Sequence, residues 1–114
     1  MALPHAGSGE LIVVQRGDDD LSQFSAIALA KTAEMELIRM TLPKGKTMPE
    51  HHVLGEISLL CLRGEVALDA HGRSQVLRDG QMVYLNGGQA HALRAERDSL
   101  LLLTILLDKG AGRA

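Results

Sequence analysis

Two of the five histidines in this chain, His51 and His91, follow glycine turns, and histidine is the residue type here best suited to chemistry. His91 closes the stretch Gly80-Gln-Met-Val-Tyr-Leu-Asn-Gly-Gly-Gln-Ala-His91. That stretch reads as a glycine turn, a short apolar strand, a two-glycine turn and the head of the next strand. His51 closes Gly45-Lys-Thr-Met-Pro-Glu-His51 and is followed by His52, Gly55 and Glu56. An imidazole just after a tight turn projects from a rigid position. It can hydrogen-bond through either ring nitrogen, carry a proton near neutral pH, or ligate a transition metal. A catalytic metal asks for three protein ligands and an open position, and non-haem iron favours two histidines and a carboxylate. His51 and His91 could supply two of these, and His52 or Glu56 could swing inward as a third if a bulge at Gly55 reset the register. Two imidazoles alone rarely hold a divalent ion against water. The residues therefore point first to two hydrogen-bonding histidines at the mouth of a pocket, without a metal.

The remaining reactive residues carry less. Cys61 has no lysine or histidine near it in sequence to lower its pKa, so it reads as a small buried hydrophobe. Asp18-Asp-Asp20 reads as a solvated turn, because a calcium loop needs more oxygen ligands at set spacings. His5, His52 and His71 read as surface or loop residues, and Tyr84 is given no role. Met48 and Met82 flank the two histidine units and fit an aliphatic core or a pocket wall.

The elements that must position these residues are β-strands. Turn signals recur at short intervals: Gly17 with its aspartates, Pro43 to Gly45, Gly55, Gly64, His71-Gly72, Asp79-Gly80 and Gly87-Gly88. The apolar runs between them are 10–15, 24–31, 34–42, 57–62, 65–69, 75–77, 81–85, 90–95 and 100–107, the pattern of a sandwich or barrel. Asp79-Gly80 reads as a hairpin turn. The segment 18–30 has some helical promise at its acidic start, with strand favoured after Phe24. Alternation in the strand before Gly64 puts Ile57, Leu59 and Cys61 on one face and Glu56, Ser58, Leu60 and Leu62 on the other. The first set carries no carboxylate and is assigned to the interior, which points Glu56 outward. The run 100–107 is apolar on both faces, so its second face needs a cover, most simply another subunit.

The two glycine-to-histidine units resemble the two motifs of the cupin family. The family's first motif is a glycine, five residues, His-x-His, three or four residues, a glutamate, six residues and a glycine. Gly45, His51 and Gly64 stand at its positions, with Val53 at the second histidine and Ile57 at the glutamate. The second motif is a glycine, five residues, Pro-x-Gly, two residues, a histidine, three residues and an asparagine. Gly80, Gly88 and His91 match it, while Asn86 replaces the proline and Ala95 the asparagine. The likeness spans roughly residues 34 to 107. It implies an all-β, single-domain jelly-roll barrel with an incomplete metal-ligand set. The organisation expected is a lead-in over 1–9, the barrel over 10–107 and a polar tail over 108–114. A closed barrel of this size leaves room for side chains and one small ligand. The expected pocket comprises His51, Val53, Ile57, Leu59, Cys61, His91 and Leu93. The first functional expectation is a small-molecule-binding protein. A second is a metal-dependent enzyme of the dioxygenase or isomerase kind, using zinc, nickel, iron or manganese held by His51, His91 and either His52 or Glu56. A third is an association module without a ligand.

Composition sets the outer limits. The chain has 114 residues, 46% of them hydrophobic, enough for one aliphatic core. Its net charge is −2 and aromatics make up only 2%, which argues against nucleic acid as a partner. The longest apolar run is too short to span a bilayer as a helix. A single cysteine and the lack of a charged-then-apolar leader lead to a cytoplasmic expectation, with a homodimer as the expected assembly.

Overall fold

The computed structural model describes residues 5–107, which form nine β-strands and no helix. The strands are β1 (Ser25–Lys31), β2 (Met35–Leu42), β3 (Thr47–His51), β4 (Ile57–Arg63), β5 (Glu65–Ala70), β6 (Arg73–Arg78), β7 (Met82–Leu85), β8 (His91–Ala95) and β9 (Ser99–Leu106). A five-stranded sheet has the order β1-β2-β9-β4-β7, and a four-stranded sheet has the order β3-β8-β5-β6. Every pairing is antiparallel. The chain passes between the sheets at most connections, which is the jelly-roll way of winding two sheets about one core. Met40, Leu42, Leu59, Cys61 and Leu101 from the larger sheet meet Val66, Leu68, Leu77, Leu93 and Ala95 from the smaller. Burying each leucine contributes about 2 kcal/mol.

The alternation assigned to β4 holds: Ile57, Leu59 and Cys61 are buried, and Glu56 is exposed. Local chemistry explains the turns. His71 and Gly72 both take positive φ, 54° and 72°, as the tight β5–β6 hairpin requires. Asp79-Gly80 does not join neighbouring strands as expected. It carries the chain from β6 in one sheet to β7 in the other, with Gly80 donating to the Cys61 carbonyl at 2.7 Å.

Three local readings differ. Residues 10–15 were expected as a strand and form none, because strand sequence without a neighbouring ladder has nothing to pair with. The start of segment 18–30 is turn and bend rather than helix, with strand from Ser25. Strand β3 was not foreseen. Pro49 and its polar neighbours hide it, and it survives as an edge strand with a register shift between Met48 and His51. The expected tail, 108–114, lies outside the described residues, as do residues 1–4 of the lead-in.

Strand β9 is central, and Leu100 and Leu101 are fully buried. At the Leu100 end the outer cover is the chain's own segment leading into β1. Thr41, the register partner of Leu100, donates through Oγ1 to the Gln23 carbonyl at 2.6 Å, and Leu21 is buried. Asp19 pairs with Arg39 at 2.9 Å. The Arg16 amide, then the Arg39 guanidinium, hold the Asp19 carboxyl below its usual range.

Cys61 is fully buried and makes no disulfide. Burial, then the nearby Asp79 and Glu65 carboxylates, push its thiol up from 9.0 to about 11. The unfolded thiol ionises from pH 9 and the folded thiol only near pH 11. The stability this group contributes is thus intact below pH 9 and is lost as pH rises through that window, by about 2 kcal/mol at its upper end. Urea titrations at several pH values check this. Cys61→Ala should flatten the alkaline slope, and an unchanged slope would contradict the assignment.

Candidate functional site

His51 ends β3, His91 begins β8, and the two are register partners. Cross-strand partners on one face approach closely, and here the ring centroids lie 4.4 Å apart with the planes tilted by 54°. Each ring is anchored by its own strand. His51 Nδ1 lies 3.1 Å from the Pro49 carbonyl oxygen, and His91 Nδ1 lies 3.0 Å from that of Gln89. A carbonyl only accepts, so Nδ1 carries the hydrogen in both rings, and Nε2 of the neutral imidazole is left with its lone pair. His91 is 5% exposed, whereas His51 is open to solvent.

Both rings line an apolar cavity of ≈ 40 Å³ between the sheets. Ile57, Leu59 and Leu93, all expected in the pocket, line it with them. Val53 and Cys61 do not. Val53 lies beyond the end of β3, where strand alternation no longer applies, and its carbonyl accepts from Gly88 N at 2.8 Å. Cys61 shares the inward face of β4 but sits farther along the barrel. Met48 and four residues the alternation had missed, Met40, Leu68, Leu85 and Leu103, complete the wall. Met48 was marked as a possible pocket residue; Met82 was too, but it is 60% exposed on the outer face. The volume matches about one water molecule. A drug-sized ligand needs several hundred Å³. Entry by anything larger therefore requires the wall or rim to move. The rim is the pair of loops 52–56 and 86–90, joined by the Gly88–Val53 hydrogen bond and by close contact of Gly87 with the Leu54 carbonyl.

The donor set does not suit a metal that needs three protein ligands. Val53 and Ile57 have no donor atom, and His52 and Glu56 are exposed. Among the described residues no group of three or more His, Cys, Asp or Glu is placed to hold an ion. A wider open groove of ≈ 420 Å³ surrounds the β5–β6 hairpin, lined in part by Glu50, Asp69, His71 and Arg73. No hydrogen bond or ion pair joins those four side chains to one another, so nothing orders them into a site.

A family model described as a cupin domain matches residues 38–106. No curated protein matches the chain. Among solved structures, a cupin superfamily protein from Desulfitobacterium hafniense superposes with a TM-score of 0.77 at 17% identity, covering 95% of this chain and 99% of that one. A conserved protein of unknown function from Streptococcus pyogenes gives 0.74 at 17% identity, covering 96% and 97%. A mutant salicylate 1,2-dioxygenase from Pseudoaminobacter salicylatoxidans gives 0.68 at 17% identity, covering 72% of this chain and 26% of that one. At such identities the likeness is one of fold.

Proposed function

This chain belongs to the cupin family, and from that premise we propose that it binds a small, mainly apolar molecule bearing one hydrogen-bonding group. The observation that carries the reading is the His51–His91 pair: two imidazoles 4.4 Å apart on an apolar cavity, each with Nδ1 anchored and Nε2 free. An imidazole that keeps its Nε2 lone pair suits a hydroxyl or carboxylic acid that donates to it. Protonated imidazoles would instead donate to a carboxylate. The apolar remainder of the ligand would enter where Met40 and Met48 now fill space, and flexible thioether side chains repack at low cost. Fold does not fix function, so the reading rests on the pair and its wall. The reading makes the protein a binding module and assigns no reaction.

A panel of short aliphatic and aromatic acids, alcohols and phenols tests this by thermal denaturation. At least one class should raise the melting temperature in a saturable way. The same compound should lose about tenfold in affinity in His51→Ala and in His91→Ala, the effect of one polar contact worth about 1–1.5 kcal/mol. Equal stabilisation of the doubly substituted protein would contradict the assigned roles.

A further inference from the structure

Four residues flank the two rim loops, and all four line the cavity. His51 ends β3 just before loop 52–56, and Ile57 begins β4 just after it. Leu85 ends β7 before loop 86–90, and His91 begins β8 after it. Each loop crosses between the sheets, 52–56 from the smaller to the larger and 86–90 back again. The two therefore run together across the end of the barrel that holds the histidine pair.

Their attachments are unequal. Loop 86–90 is braced from within and from β7: Gln89 N donates to the Asn86 carbonyl at 3.2 Å, and the Tyr84 hydroxyl to Asn86 Oδ1 at 3.3 Å. Loop 52–56 has no such brace among the described residues. Its far end is pinned by Leu106 N, which donates to the Glu56 carbonyl at 2.9 Å, and its near end by the His51–His91 register pair. Between those pins a single hydrogen bond holds it, from Gly88 N to the Val53 carbonyl at 2.8 Å. Burial adds little, since Leu54 is 67% exposed and His52 and Glu56 are exposed. A segment with few buried contacts and one exposed hydrogen bond opens locally, without global unfolding. Gly87 fits that motion. Gly88 takes a φ of 79°, whereas Gly87 has no positive φ to require glycine. The opposite loop is what excludes a side chain there. A Cβ at 87 would strike the Leu54 carbonyl oxygen and lie 3.4 Å from the Gly55 carbonyl carbon. Glycine is thus needed at 87 for the close approach of two backbones, and only while the loops are shut.

We propose that residues 52–55 form a gate that swings off loop 86–90 to admit a ligand to the cavity, and that Gly87 is the residue that lets the gate shut. Opening uncovers His91, which is 5% exposed in the shut state, while His51 is already open to solvent. The gate's use as an entrance rests on the ligand reading above. Its motion is measured without any ligand, so either can fail alone.

Amide hydrogen exchange on the full chain, with brief labelling by diethyl pyrocarbonate, which acylates unprotonated imidazole, tests it. In the unsubstituted chain the Gly88 amide should exchange more slowly than an unbonded amide, yet faster than the amides of β8, a strand paired on both sides. At one label per molecule, His51 should react well before His91. Gly87→Ala props the loops apart. It should speed both Gly88 exchange and His91 labelling about tenfold, the effect of removing one hydrogen bond. Protection of β8 and labelling of His51 should stay as they were. A Gly88 amide that exchanges only as fast as those of β8 would mean that the rim opens with the whole barrel. That would overturn the proposal even if Gly87→Ala failed to fold. Unchanged His91 labelling in folded Gly87→Ala would overturn it too. So would loss of β8 protection in that variant, which would make Gly87 a structural residue only.

Discussion

Gly64→Ala is expected to cost about 3–5 kcal/mol, a large part of the stability of a domain this size. Gly64 joins β4 to β5 at φ 106°, a conformation that L side chains rarely adopt. Space is also lacking. A Cβ there would lie 2.7 Å from the Asp98 carbonyl oxygen and from Ser99 Cα, and would strike the Ser99 hydroxyl. None of these can yield cheaply. Ser99 is fully buried, its Oγ accepts from Glu65 N at 3.0 Å, and it lies within 2.7 Å of the Arg97 carbonyl to which it donates. Gly64 N itself donates to Asp79 Oδ1 at 2.7 Å. The substitution thus strains the turn and pushes apart the β5–β9 junction. Gly72→Ala is the control. Its φ is 72° but nothing lies within 4 Å, so only the backbone penalty of about 1–2 kcal/mol applies. Urea denaturation of both variants measures the difference. Equal losses would show that the contacts at Gly64 do not matter.

Ile57→Glu is expected to turn a weak metal response into a strong one. Ile57 is 6% exposed and lines the same cavity as His51 and His91, so a carboxylate there would join two imidazoles with free Nε2 atoms. Two histidines and a carboxylate form a donor set that divalent iron and its neighbours accept. Without metal, the buried carboxylate should lower stability by a few kcal/mol, since it leaves a charge unpaired among apolar side chains. With metal at a thousand times its dissociation constant, the gain should be about 4 kcal/mol. Calorimetric melting with and without nickel or zinc checks both halves. A variant that melts no higher with metal would mean the two imidazoles cannot converge on one ion.

The features that made the fold legible were the glycine turns and the parity of β4, which together placed Ile57, Leu59 and His91 on one interior. Parity says which face a side chain takes. It does not say how far along the barrel that side chain lies, so Cys61 was grouped with a cavity it does not reach. Val53 was placed in the pocket by its position in the first motif, where the family has its second histidine, but it lies past the end of β3 and does not line the cavity. The methionines of the wall come from strands β2 and β3, and neither carries an alternation clear enough to separate a cavity wall from a packed core. Residues 10–15 show the opposite limit. Their sequence encodes strand propensity correctly, but a strand exists only where a partner exists, and none lies among the described residues.

We propose that His51 and His91 serve as hydrogen-bonding groups of a pocket and do not by themselves form a metal centre. Metal analysis of protein purified without a histidine tag, paired with thermal melting in zinc, nickel, iron and manganese, tests it most directly. The expected result is substoichiometric metal and a small rise in melting temperature that changes little in His51→Ala. One equivalent of metal with a large rise, abolished by His51→Ala and by His91→Ala, would contradict it.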